Sequence, residues 1–357
     1  MGVVFFGIIA LYLIFSNRNT GSVRVPRQII TIMVMQALTW LFYSLLYYDT
    51  SYLTRIFFIA LTLLGLSMLC KKASVMHFAK VYNIVITVQA VLGVIAFFLV
   101  FVNLLKPVFS YSYENSLNFR YLNCYILTCS NAVTGNFIRI GGFFDEPGAF
   151  AFWGMFALLS NKLLFDNRRI EILLIISLFF TFSAAYFILL PIYIVCFYSS
   201  RIKSIIAVLL VAIPLLLVIY NTFSNNESFL SYTTERFEGG QIKSQRYELA
   251  EHTKKIFYRS PIFGVGAKNL YNDFHSTDNQ YEILAKDGIV GFIVTYLPLF
   301  FIALKYRKRK EVLFSSIILF LDYMQRPFHI NEMHFFMIFF FCLFVMIKYE
   351  NHIKSVT

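Results

Sequence analysis

Apolar residues fall along the chain in runs of about 17 to 25, each long enough for a helix to cross a hydrocarbon core about 30 Å thick. Short clusters of Arg and Lys separate them. The first span covers about residues 2 to 16 and ends at Arg18, Arg24 and Arg27; with no basic stretch ahead of it and no clear cleavage site, it reads as a retained anchor. A second, about 28 to 48, closes on Tyr43, Tyr47 and Tyr48, an interfacial aromatic belt. A tight turn at Asp49 to Ser51 leads into a third, about 52 to 70, ending at Lys71, Lys72 and Lys80. The fourth spans about 81 to 105, and the fifth runs from Pro147 to about Phe165.

The run from Ile170 to Tyr198 suits either one tilted helix or two short ones. Its flanks decide: Arg168 and Arg169 precede it while Arg201 and Lys203 follow, so both ends lie on one side and the chain reverses near Thr181 to Ala184. An eighth span, about 204 to 220, a ninth, about 288 to 304, and a last hairpin turning near Gln325 to Glu332 complete about eleven transmembrane helices. The predicted fold is an all-α polytopic membrane domain over residues 1–357. Two long polar loops, about 106 to 146 and 221 to 287, share one face.

Composition and charge agree with this setting. The chain is 59% hydrophobic and only 14% charged, a balance a soluble domain rarely shows. Its net charge of +12 does not point to nucleic acid, because the cations lie in short clusters between apolar runs. The side holding more of the 31 Lys and Arg carries them in short connections, which places the N-terminus outside and the C-terminus in the cytoplasm. Both long loops then face away from ATP and nucleotide sugars.

Candidate chemistry sits in those loops. In the first, Arg139-Ile140-Gly141-Gly142-Phe143-Phe144-Asp145-Glu146-Pro147 sets a cation, a double glycine and two carboxylates before an apolar run, with Pro where a helix begins. The helix dipole favours a charged Glu146 there. Arg139 with Glu146 fits either an ion pair clamping the helix start or contact with substrate. In the second loop, Ser244 to Tyr258 predicts an amphipathic helix along the membrane surface, with Leu249, Thr253, Ile256 and Phe257 on one side and Arg246 at its start. Ser260-Pro261 stops it. Thr277 and Gln280 have capping-box spacing ahead of a short helix, which places His275 at a helix N-terminus suited to anions. Asp273, His275 and Asp278 show no dependable metal-ligand spacing. Cys124 and Cys129 are equally compatible with a disulfide and with free thiols.

The stretch Arg139 to Pro147 resembles the R-x-x-G-x-F-x-E-P signature of O-antigen polymerases, the Wzy-type enzymes, whose superfamily includes the O-antigen ligases. Ser260 to Gly266, then His275, Asn279 and Leu284-Ala285-Lys286-Asp287-Gly288-Ile289-Val290-Gly291, is similar to that superfamily's second pattern: a Pro-x-x-G-x-G turn, a histidine and a G-x-x-G start to the next span. The resemblance implies an inverting, metal-independent C-type glycosyltransferase without cofactor, in the bacterial inner membrane with its active site facing the periplasm. It implies an undecaprenyl-pyrophosphate-linked oligosaccharide as substrate, membrane lipid as surroundings and a chain-length regulator protein as a further partner. In that reading Arg139, Arg236 and Arg246 hold the diphosphate, His275 is the base or another phosphate contact, and Glu146 is base or organiser. Ligation of a finished glycan to a lipid core uses the same donor and is the rival within the class. A lipid-linked oligosaccharide flippase is the rival outside it, and predicts ionisable residues or broken helices near mid-membrane.

Overall fold

The computed structural model describes residues 25–69, 72–115, 118–131, 133–134, 137–198, 245–273, 279–325 and 333–354. In chain order they form α1 (Arg27–Tyr47), α2 (Ser51–Leu69), α3 (Lys72–Phe101), β1 (Phe109–Asn115), β2 (Asn118–Cys124), β3 (Cys129–Ser130), β4 (Val133–Thr134), β5 (Phe137–Ile138) and α4 (Pro147–Leu164). Then follow α5 (Arg168–Phe179), α6 (Ala184–Tyr198), α7 (Gln245–Arg259), α8 (Ala267–Asp273), α9 (Glu282–Lys305), α10 (Lys310–Gln325) and α11 (Met333–Lys354). The expected first and eighth spans lie outside the described residues. Four helices are long and apolar enough to cross a bilayer: Arg27–Tyr47, Ser51–Leu69, Ser74–Phe101 and Glu282–Lys305. They support a helical membrane protein, while the full set of eleven crossings is not reached among the described residues.

The chain divides into two compact units, residues 1–82 with 163–165 and 248–357, and residues 83–162 with 166–247. In the first, α1 and α2 form a hairpin. Tyr48 takes the left-handed conformation that ends α1, and Asp49 Oδ1 accepts the Ser51 amide to start α2. On α1, Ile29, Ile32, Met33, Gln36, Trp40 and Tyr43 are buried, whereas Ile30, Val34, Leu38, Leu41 and Leu45 form an exposed apolar stripe at helical spacing. An apolar face turned outward at this period is the mark of lipid contact. α11 is buried along its whole middle, from Met337 to Met346.

In the second unit the first long loop is not irregular. β1 and β2 pair antiparallel from Phe109 opposite Cys124 to Asn115 opposite Asn118, β3 adds to β2, and β4 pairs with β5. This corrects the all-α expectation locally: strands close their backbone hydrogen bonds on one another, so the loop folds without a helix. α5 and α6 form the hairpin expected from the flanking charges. Asn167 caps α5 by accepting the amides of Arg169 and Ile170. Tyr186 Oη donates to the Ile175 carbonyl, and the hydroxyls of Tyr193 and Tyr198 donate to Glu171, so the two arms run antiparallel. At 12 and 15 residues the arms reach only about 18 and 22 Å, short of a full crossing.

Candidate functional site

The Arg139 loop is pinned on two sides within its unit. The Ile140 amide donates to the Phe180 carbonyl at 3.1 Å, joining the loop to the α5–α6 turn. Cys129 N donates to the Gly142 carbonyl at 2.6 Å, and Gly141 N donates back to the Cys129 carbonyl at 3.0 Å. Only glycine fits that approach, because a Cβ on Gly141 would stand 2.6 Å from the Cys129 carbonyl oxygen. Cys124 and Cys129 are joined in a disulfide, which closes the strand carrying this contact. Thus the alternative left open by sequence is decided for pairing.

Arg139 acts on the hairpin. Its Nε donates to the Thr181 carbonyl and its Nη2 to the Phe182 carbonyl, both at 2.9 Å. These carbonyls follow the last turn of α5, where orphan acceptors and the negative dipole end favour a cation. A fixed guanidinium fork suits two neighbouring carbonyls as well as it suits a phosphate. Glu146 stands where the pattern predicts, immediately before Pro147, the first residue of α4. Its carbonyl accepts the amides of Ala149 and Phe150 at 3.0 and 3.1 Å. The side chain is half-buried.

The second region is a clasp around a break in α9. Gly288 has φ 64° and ψ −171°, which divides the helix into a short outer piece and a longer apolar one. Val265 and Gly266 amides donate to the carbonyls of Ala285 and Lys286, both at 2.9 Å. In return Ile289 and Val290 amides donate to Pro261 and Ile262 at 2.9 and 3.1 Å. Each broken end is therefore partly completed by the Pro261–Gly266 turn, which pairs two of the carbonyls and two of the amides that a helix terminus leaves unsatisfied. Gly264 and Gly288 sit back to back at positive φ, and a Cβ on either would lie 2.3 Å from a carbonyl oxygen of the other strand. Tyr47 packs its ring against Gly266 and places its hydroxyl 2.9 Å from the carbonyls of Phe263 and Gly264.

Asp287 anchors the clasp to α1 and α2. Its carboxylate accepts from Tyr52 Oη at 2.8 Å and from Arg55 Nη1 at 2.9 Å, and its carbonyl accepts from Tyr43 Oη at 2.5 Å. The Arg55 guanidinium lies 4.4 Å from the Trp40 ring centre and 4.7 Å from that of Tyr52, within cation–π range. One turn earlier on the short piece, buried Lys286 and Glu282 stand 3.5 Å apart. The sequence pattern contains Lys286 and Asp287 but assigns neither a role, and Arg55 is legible only as a charge inside an apolar run, which demands a partner.

Of the expected site residues, Arg139 and Glu146 share one loop in the second unit. Arg246 lies in the first turn of α7, with only its backbone described. Arg236 and His275 lie outside the described residues, as does Thr277. The ends of the histidine segment are visible. α8 stops at Asp273, and Asn279, after the gap, accepts the Tyr281 amide at 2.9 Å and donates to Thr253 Oγ1 of α7 at 3.0 Å. Asn279 thus ties the residue just before α9 to α7. α7 ends at Arg259, just before Ser260-Pro261, and its Ile256 packs on Leu270 of α8 and Ala285 of α9. At Thr253, Ile256 and Phe257 the side predicted for the membrane surface therefore faces protein. Among the described residues no three His, Cys, Asp or Glu side chains gather as a metal site.

Residues 171–296 match the family model described as O-antigen ligase, Wzy_C. The match contains the clasp, Asp287 and the histidine segment, and stops short of the Arg139 loop. No curated protein and no solved structure matches the chain.

Proposed function

We propose, from the match of residues 171–296 to the O-antigen ligase family model, a polymerase that extends a lipid-pyrophosphate-linked surface glycan at the outer face of the bacterial inner membrane. A hydroxyl of the incoming repeat unit attacks the anomeric carbon of the growing chain. The carbon–oxygen bond to the diphosphate breaks, its electron pair leaves with undecaprenyl pyrophosphate, and the hydroxyl proton passes to a base. His275 is the base or a phosphate contact, and Glu146, at the start of α4, is the base or the organiser. Arg236 and Arg246 neutralise the leaving diphosphate without metal. Arg139 is a positioning residue, because its fork holds the α5–α6 turn.

The observation that carries this reading is the clasp. It closes the base of the segment bearing His275 at one end of an apolar helix, inside the family-matched stretch. An outward orientation is supported by the Cys124–Cys129 disulfide, a bond kept in oxidising compartments. Ligation to a lipid core is the second reading, favoured by the name of the matching model.

Purified protein given a defined undecaprenyl-pyrophosphate repeat unit, with chelator present, should yield a ladder of products. A single transfer that requires lipid core as acceptor would select ligation. His275→Ala and Arg246→Ala should each abolish the ladder while the protein still inserts, and full activity in both would remove the proposed diphosphate site.

A further inference from the structure

α3 serves as a ruler for depth in the second unit. Its apolar stretch Ser74–Phe101 is long enough to cross a bilayer, and each residue advances about 1.5 Å. Along it, four contacts fall in order. The Phe137 ring lies 5.7 Å from that of Phe97. A methyl on Gly93 would stand 3.2 Å from Ile140. One on Gly142 would stand 2.9 Å from Gln89 Oε1. Further along, Ser160 Oγ donates to Asn83 Oδ1 at 2.5 Å. The segment from β5 into α4 therefore descends beside α3, and Gly93 and Gln89 lie about 12 and 18 Å from its Phe101 end. At the same levels Ile84, Val88, Ile95 and Phe98 are exposed apolar residues on one side of α3, as lipid-facing positions would be.

We infer that the Arg139–Glu146 stretch is a re-entrant loop whose glycine turn reaches the middle of the bilayer, so that α4 starts there and not at the membrane surface. Irregular backbone is tolerated at that depth only when its polar groups are closed by protein or open to water. Here the amides of Ile140, Gly141, Phe144 and Cys129 all donate to backbone carbonyls. One buried polar atom on the same floor has no hydrogen-bond partner among the described residues: Gln89 Oε1, beside Gly142. A buried acceptor in that state marks a place for water or a ligand hydroxyl. A loop so placed takes the polar head of a molecule already held in the membrane, drawn below the level of the phospholipid head groups. The head-group identity rests on the function proposed above; the depth does not.

Two measurements on the full chain in proteoliposomes test the depth. Val88→Trp and Phe98→Trp, both at lipid-exposed sites, are read against the parent fluorescence with phosphatidylcholines brominated near the middle or near the end of the acyl chains. Val88→Trp should be quenched most by the deep bromines, and Phe98→Trp more by the shallow ones. Gly93→Cys with Ile140→Cys should cross-link under a mild oxidant, since a Cβ on Gly93 would stand 3.2 Å from that of Ile140 and a shift of a few tenths of an ångström brings the pair to disulfide geometry. Shallow quenching at position 88, or no cross-link, overturns the inference. A correct depth with no glycan ladder would instead leave the loop re-entrant and remove the polymerase reading.

Discussion

Asp287 concentrates three contacts from α1 and α2 on one buried side chain and its carbonyl. Breaking a buried ion pair from one side typically costs roughly 3 to 5 kcal/mol, because the remaining charge is left desolvated. Asp287→Ala and Arg55→Ala should therefore each lower the unfolding midpoint in detergent strongly. The double variant should fall short of the summed losses by about 1 to 3 kcal/mol, the coupling expected of groups in contact. Strict additivity would mean the pair does not hold the clasp. Gly288→Ala should be as damaging as either, since the added methyl meets the Ile262 carbonyl and the backbone stays left-handed. At this scale sequence reading located Gly264, Gly266 and Gly288 within a pattern but gave Asp287 no task. Its partner lies more than two hundred residues away, and spacing along a chain cannot show such a contact.

Among the elements, the α5–α6 hairpin is held at both ends. At its open end Glu171 accepts from Tyr193 at 2.5 Å and Tyr198 at 2.6 Å, with Lys162 3.8 Å away. At its tip Arg139 closes two carbonyls. Arg139→Ala should cost about 1.5 to 3 kcal/mol for the charge-assisted bonds, measured as thermal stability of the purified protein. Arg139→Lys should recover less than half of that, because an ammonium lacks the parallel fork. Equal stability of all three proteins would show that the hairpin does not need the guanidinium. The reversal itself was legible from Arg168, Arg169, Arg201 and Lys203, and the turn falls at residues 180–183, one residue from the expected place. The strands were legible too, since Phe109-Ser110-Tyr111-Ser112-Tyr113 alternates with the period of two that a strand shows. Its polar composition drew the reading towards a loop. The depth at which α4 starts left no trace, because a proline after an acid marks a helix N-terminus wherever that helix lies.

For the whole molecule, the charge pattern and the disulfide point to the same orientation. A reporter active only in the cytoplasm should work when fused after Thr357. After unfolding in SDS, Cys124 and Cys129 should react with a maleimide only once the protein has been reduced. Labelling without reductant would contradict the disulfide, and an inactive reporter at the C-terminus would reverse the topology.

The clasp also governs how this protein can change. The chain leaves it at Gly266 and returns at Ala285, and four backbone hydrogen bonds join the outgoing and returning segments directly, with Tyr43, Tyr47, Tyr52 and Arg55 bracing them from α1 and α2. Residues 267 to 281 are thus an excursion that starts and finishes at one fixed base. A change of length within that cassette would leave the backbone bonds of the clasp in place, whereas one inside residues 261–266 or 285–290 would break them.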